Sequence, residues 1–258
     1  MLNPAYALSP QDLAGSQQEP NCALRLMAGL DMQTMPDGRV TVPVQFEGHN
    51  HNLMVDTGGY INTVTPQLAK DEGYEIRVSH GTTLRGLGAR SLLNTYVDTK
   101  EFTIGHSLGK DFAFFVEPFN DLSMDGTLAP SILAAYDVDF DFGHDKLNLF
   151  NPDHCPGRVV YWTKGPVSIV PIEIQNRTHI RIPVTIEGKE IMATLDTGSV
   201  TSLVTLRALS KFVGLDEKSA GMKSLGNKPV NGLVAPVYNY PFQALAFGGV
   251  TVSHPHIE

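Results

Sequence analysis

Basic residues are scarce in this chain. Nineteen Lys and Arg stand against 27 Asp and Glu, a formal charge of −8 over 258 residues. Phosphate backbones and anionic membranes are gripped by clustered Lys and Arg, so neither nucleic acid nor such a membrane is expected as a partner. Charge of both signs is sparse at 18%, which argues against a disordered chain or a coiled coil. No apolar run approaches the roughly 18 residues of a membrane-crossing helix. The opening MLNPAYALSPQDLAGSQQEPNC has no basic n-region and no apolar h-region, and so does not read as a signal peptide. Ala5-Tyr6-Ala7 has the A-x-A form of a cleavage site, with a chance match the favoured reading. Location stays open, with export slightly ahead of the cytoplasm. There are only two cysteines, Cys22 and Cys155. They either close one segment as a disulfide in an oxidising compartment or stand as free thiols, because sequence does not set connectivity.

What is abundant points to β structure. Hydrophobic residues make up 42%, with 24 Gly and 17 Pro, and Val, Thr, Phe and Tyr are frequent. That composition fits a packed, turn-rich β protein of one large or two small domains.

The chain also repeats itself. RVTVPVQFEGHNHNLMVDTGGYINTV (39–64) aligns without a gap on HIRIPVTIEGKEIMATLDTGSVTSLV (179–204). Pro43 meets Pro183, Glu47 meets Glu187, Gly48 meets Gly188 and Asp56 meets Asp196. Apolar residues alternate with polar ones up to Glu-Gly and resume beyond it. This predicts a β-hairpin in each copy, with turns at 47–50 and 187–190. The second strand runs into Asp-Thr-Gly both times. A short helix should follow at 65–70, with Thr65 as N-cap and Pro66 in the first turn, and its counterpart at 205–211.

Further along, HGTTLRGLGARS (80–91) and GMKSLGNKPVNG (221–232) read as Gly-rich hairpins. Strands are expected near 94–105 and 110–117. A turn at Asp125-Gly126, a helix over 130–136 and two strands around Gly143-His144 should follow. The Pro-rich stretch from 151 reads as a linker. The predicted organisation is an extension over 1–38, a lobe over 39–150, a linker over 151–178 and a second lobe over 179–258. Gly248 takes the place of Gly105, so the second copy runs out early. It lacks a counterpart of 124–150, and is either a fragment or completed in another way.

Two Asp-Thr-Gly turns meeting across a pseudo-two-fold would set two carboxylates side by side. Like charges at contact cannot both ionise cheaply, so the pair shares a proton. One member can take a proton from water while the other polarises a carbonyl. Gly58 and Gly198 let backbone N–H groups approach, and Thr57 and Thr197 can bond across to the opposite loop.

These features resemble the aspartic protease superfamily, as two retropepsin-like lobes in tandem. LMVDTGG, ATLDTGS and DGTLAPSILAAYDVDFDF carry the resemblance. It covers about 39–150 and, incompletely, 179–250. It implies an all-β, bilobal fold, with Asp56 and Asp196 as the catalytic dyad and water as nucleophile. An extended peptide would lie under a flap near 80–91 that includes Thr83, Leu87 and Gly88. No cofactor and no metal is implied. The chain departs from the pattern in three ways. Gly59 stands where a Ser or Thr usually bonds a carboxylate, a hydroxyl that Ser199 retains. Ala129 and Ser131 stand for Gly and Asp. The support for the Asp196 loop is missing.

Three readings follow. The first is an endopeptidase acting on peptide or protein, a monomer with its dyad in cis. The second is a non-catalytic module of the same fold that binds an extended peptide or a partner. The third is a dimer that pairs two copies of Asp56. Other patterns have plainer readings. Gly105-His106-Ser107-Leu108-Gly109 matches a nucleophile elbow, yet KDFAFFVEP after it is strand-like, so a hairpin turn is expected. His49 with His51, and His254 with His256, read as solvated turn residues. Asn176-Arg177-Thr178 is a glycosylation sequon by pattern. Asp137, Asp139 and Asp141 read as a solvated strand face, with a weak cation site as the alternative. Trp162, the single Trp, is expected to pack between the lobes.

Overall fold

The computed structural model describes residues 23–79, 84–85, 92–117, 123–175, 178–230 and 233–258. The chain is all-β, as expected. Its helices are short: Pro66–Asp71, Pro130–Leu133, and Leu206–Ala208 running into a π-turn at Leu209–Val213. Thr65 caps the first, its hydroxyl accepting the Leu68 N–H at 3.1 Å. Thr205 does the same for Ala208 at 3.2 Å.

Both repeat hairpins form. Val40–Phe46 pairs with His49–Val55, and His179–Ile186 with Lys189–Thr194. Each turn is only two residues long. Glu47 and Gly48 have φ of 50° and 89°, and Glu187 and Gly188 have 50° and 74°. Positive φ at both central positions matches the strand twist, and glycine takes the second without strain. His49 is therefore the first residue of a strand, which corrects its placement in a turn. His51 is corrected as well: its side chain is mostly buried, with its ring 2.8 Å from Glu72 and 3.3 Å from Asp125. His49 is exposed and 2.8 Å from the other Glu72 oxygen, which holds its pKa above the usual range. Burial pushes the Glu72 carboxyl up, but hydrogen bonds from His49 and His51 outweigh it and hold it below the usual range. His254 and His256 are exposed.

In the first half, six strands close on themselves. The order runs Val40–Phe46, His49–Val55, Gly126–Leu128, Thr63–Val64, Ser107–Val116, Thr95–Ile104, and back to Val40–Phe46. Closure removes the sheet edges. Phe46, Phe102 and Phe114 fill the interior with ring centroids 5.0–5.2 Å apart. Gly105-His106 is the tight link between Thr95–Ile104 and Ser107–Val116, not a strand-to-helix elbow. A second sheet carries Leu26–Asp31, Lys146–Phe150 and Asp137–Asp141. Residues 26–34 are thus no free extension. Ala28, Leu30 and Met32 belong to the main core, and Gln33–Thr34 pairs with Val40–Thr41.

The second half repeats the opening of this plan. Phe46 pairs with Phe102, and Ile186 pairs with Leu245 in the corresponding place. Its own apolar cluster centres on Val184, Ile186, Leu209, Phe242 and Ile257. The predicted linker contributes the strand Glu173–Gln175 to this sheet. Lys223–Val230 and Leu233–Asn239 form the later hairpin.

Trp162 is 58% exposed. It stands edge-on to Tyr161 at 5.3 Å, on the rim of a groove between the halves rather than packed within it. The alternate aspartates each have a partner. Asp137 meets His154, Asp139 accepts from Tyr161 and Asn148, and Asp141 meets His144 at 2.8 Å. Among the described residues no group of three or more His, Cys, Asp or Glu is arranged to hold a metal, and no helix is long and apolar enough to cross a membrane. Cys155 is disulfide-bonded; Cys22 lies outside the described residues, as do Asn176 and Arg177 of the sequon.

Candidate functional site

Asp56 follows directly on the strand His49–Val55, where the chain leaves the sheet and turns back into Thr63–Val64. The turn is held at its base. The Asp56 N–H donates to the Leu128 carbonyl at 3.0 Å, and the Gly59 N–H to the Asp56 carbonyl at 3.2 Å. Asn62 ties the same region to the helix after Leu128: its Oδ1 accepts the Ala129 N–H, and its Nδ2 donates to Ser131 Oγ, both at 2.8 Å. Asp196 occupies the equivalent place after Lys189–Thr194.

The two turns interlock. Thr57 Oγ1 donates to the Leu195 carbonyl at 2.7 Å and accepts the Thr197 N–H at 3.0 Å. Reciprocally, Thr197 Oγ1 donates to the Val55 carbonyl at 2.6 Å and accepts the Thr57 N–H at 3.2 Å. Four hydrogen bonds thus join two stretches 140 residues apart. Each carbonyl used belongs to the residue just before an aspartate.

The carboxyls meet above this crossing. Gly58 N–H donates to Asp56 Oδ1 at 3.0 Å, and Gly198 N–H to Asp196 Oδ1 at 2.9 Å. Each carboxyl lies over the opposite glycine. A Cβ on Gly58 would collide with the Asp196 carboxyl, and one on Gly198 would come 2.6 Å from Asp56 Cγ. Only glycine leaves room for this approach. Burial, then the Asp196 charge and a hydrogen bond to it, push the Asp56 pKa up to about 7, against the lowering pull of the Gly58 and Gly59 N–H groups. Two like charges this close do not both ionise cheaply.

Ser199 does not play the expected part. Its hydroxyl donates to the Thr201 carbonyl at 2.7 Å rather than to a carboxylate. At Gly59 a Cβ would come 2.8 Å from Asp56 Oδ2, so a side chain there would press on the carboxyl. Near 80–91, Leu84–Arg85 pairs with Leu92–Leu93 as a short hairpin. Thr83, Leu87 and Gly88 lie outside the described residues. One contact had no signal in the sequence: Tyr60, four residues after Asp56, packs edge-on against His179 of the second half at 5.1 Å.

No family model and no curated relative matches the sequence. Among solved structures, a retropepsin-like aspartic protease from Rickettsia conorii is similar to it at 20% identity and a TM-score of 0.38. That overlay covers 50% of this chain and 94% of the other.

Proposed function

We propose that this protein is an aspartic-type endopeptidase whose dyad is Asp56 and Asp196, contributed in cis by two retropepsin-like lobes over 39–150 and 179–258. The reciprocal lock of the two Asp-Thr-Gly turns carries this reading, since it brings the two carboxyls together at the meeting of the two repeats. In the proposed reaction the ionised carboxylate takes a proton from water as the water oxygen bonds the peptide carbonyl carbon. The protonated partner gives its proton to the carbonyl oxygen. Collapse of the resulting diol breaks the C–N bond: the leaving nitrogen takes the proton that the first carboxyl removed from water, a diol hydroxyl returns its proton to the second carboxyl, and an amine and a carboxylic acid are released with the pair again singly protonated. Peptide or protein in extended form is the substrate, with the hairpin at 84–93 beside it. Thr57, Gly58, Thr197 and Gly198 hold the dyad in place, and precise placement is worth orders of magnitude in rate.

The test is cleavage of an unfolded protein substrate from pH 3 to 8 by the wild type, Asp56→Asn and Asp196→Asn. Both substitutions should lower turnover by at least about 10²–10⁴-fold. Cleavage retained in Asp196→Asn would refute the cis dyad and favour a pair of Asp56 residues across a dimer. Peptide binding by a folded wild type that cuts nothing would make the chain a binding module.

A further inference from the structure

The strand Gly126–Leu128 ends where both of its neighbours let go. Its parallel ladder with His49–Val55 stops at Leu128 opposite Val55, and its antiparallel ladder with Thr63–Val64 stops at Thr127 opposite Thr63. Ala129 is the first residue past both. It opens the helix Pro130–Leu133 but makes no side-chain cap. Leu128 and Ala129 are both 0% exposed. A backbone group left unpaired at such a place is costly, so the peptide group between them needs a partner on each side.

It has two. The Leu128 carbonyl receives the Asp56 N–H at 3.0 Å, and the Ala129 N–H donates to Asn62 Oδ1 at 2.8 Å. Those two groups point from opposite edges of one planar unit. A backbone N–H only donates, so the Asn62 oxygen has to face it, and the amide nitrogen then faces Ser131 Oγ at 2.8 Å. Asn62 is itself anchored, because its carbonyl accepts the Phe115 N–H at 3.1 Å. Asp56 and Asn62 are the first and last residues between the strands His49–Val55 and Thr63–Val64. Both ends of that turn thus clasp the same peptide group, one by its main chain and the other by its side chain. Without the Asn62 amide, the buried Ala129 N–H either stays unpaired or turns toward water. Because the peptide is planar, turning it swings the Leu128 carbonyl away from the Asp56 N–H.

We propose that Asn62 is a positioning residue for Asp56: it orients the Leu128–Ala129 peptide plane and so fixes where the Asp56 carboxyl stands. The repeat gives no hint of this role. Ser202 is the counterpart, and its side chain offers one polar atom where Asn62 uses two. The consequence for turnover rests on the endopeptidase reading; the consequence for Asp56 does not, and the two are measured apart.

The experiment compares the full-length wild type with Asn62→Ala, Asn62→Asp and Ser131→Ala. By NMR, the Asp56 amide should exchange at least about tenfold faster in Asn62→Ala. It should stay protected in Asn62→Asp, whose carboxylate still accepts the Ala129 N–H. Burial and the Asp196 charge push the Asp56 pKa up to about 7. A loosened turn admits water and weakens both causes, so the carboxyl of Asp56 should titrate at least about half a pH unit lower in Asn62→Ala. In turnover, kcat should fall at least about tenfold with KM within about twofold, and the upper limb of the pH profile should move to lower pH. Ser131→Ala frees only the amide nitrogen and should give the same two NMR changes at smaller size. It stands in where Asn62→Ala folds poorly, and no change in it would then overturn the proposal. An unchanged Asp56 amide and titration in a folded Asn62→Ala would overturn it too, whatever happens to turnover. If both move while the wild type cuts nothing, Asn62 keeps its role and the endopeptidase reading falls.

Discussion

At the level of single residues, the repeated Asp-Thr-Gly is explained by crowding. Each tripeptide supplies a carboxyl, a hydroxyl that crosses to the other turn, and a glycine over which the opposite carboxyl rests. Asp56 is the residue with most at stake, because burial first and the Asp196 charge second raise its pKa to about 7. An unfolded Asp titrates near 4. Between those values the native state holds a proton that the unfolded chain has released, so stability falls as pH rises from about 4 to about 7. Asp56→Asn removes that titration. Urea unfolding from pH 4 to 8 should show a flatter profile for the variant than for the wild type; parallel profiles would place the titration elsewhere. For the proposed reaction the same pKa sets the expected upper limb, with turnover falling as pH rises through about 7. Gly198→Ala tests the crowding directly. A methyl 2.6 Å from Asp56 Cγ must push the carboxyl aside, so turnover should fall at least about a hundredfold, with near-wild-type circular dichroism as the control for folding.

At the level of elements, the hairpins share one device. Glu47 Oε1 accepts the Lys100 N–H at 2.8 Å, and Glu187 Oε1 accepts the Gln243 and Ala244 N–H groups at 2.6 and 3.2 Å. The Glu of each Glu-Gly turn thus clamps the strand that arrives beside it. Bonds to a charged acceptor contribute about 1.5–3 kcal/mol. Glu187→Ala should therefore cost about 2 kcal/mol in urea unfolding, and a loss below about 0.5 kcal/mol would deny the clamp any weight. Both hairpins were legible in the sequence, because strict alternation on either side of Glu-Gly leaves few other readings. So were the capped helices, from Thr-Pro at 65–66 and from Thr205. The exact turn was less legible. Glu47 adopts positive φ, which few non-glycine residues do, so the loop is shorter than expected and His49 and His51 fall on a strand. The strand Leu26–Asp31 was missed because its partner, Lys146–Phe150, lies more than a hundred residues away, and local pattern carries no information on such pairing. Ser199 was given a carboxylate partner by analogy, but the nearby Thr201 carbonyl takes its proton instead.

At the level of the whole molecule, the question is what makes two halves act as one. The groove between them leaves Leu195, Ile172, Ile174 and Trp162 largely exposed, so apolar packing does little of the joining there. The Thr57–Thr197 crossing does more, and it joins the halves at the residues beside the dyad. Thr57 is 2% exposed. Replacing it with Val keeps the shape but strands the Leu195 carbonyl and the Thr197 N–H without their partner. An unpaired buried group costs about 1–3 kcal/mol. Thr57→Val should therefore destabilise by about 2 kcal/mol or more, and Thr57→Ser, which keeps the hydroxyl, should recover most of the loss. Thr197→Val breaks the same network from the other side, so the double variant should cost clearly less than the two single losses added together. If the losses were simply additive, the two hydroxyls would be acting as independent contacts. The turns would then meet because the halves are joined elsewhere. Strong coupling would mean that the crossing itself draws the halves together and sets the distance between Asp56 and Asp196.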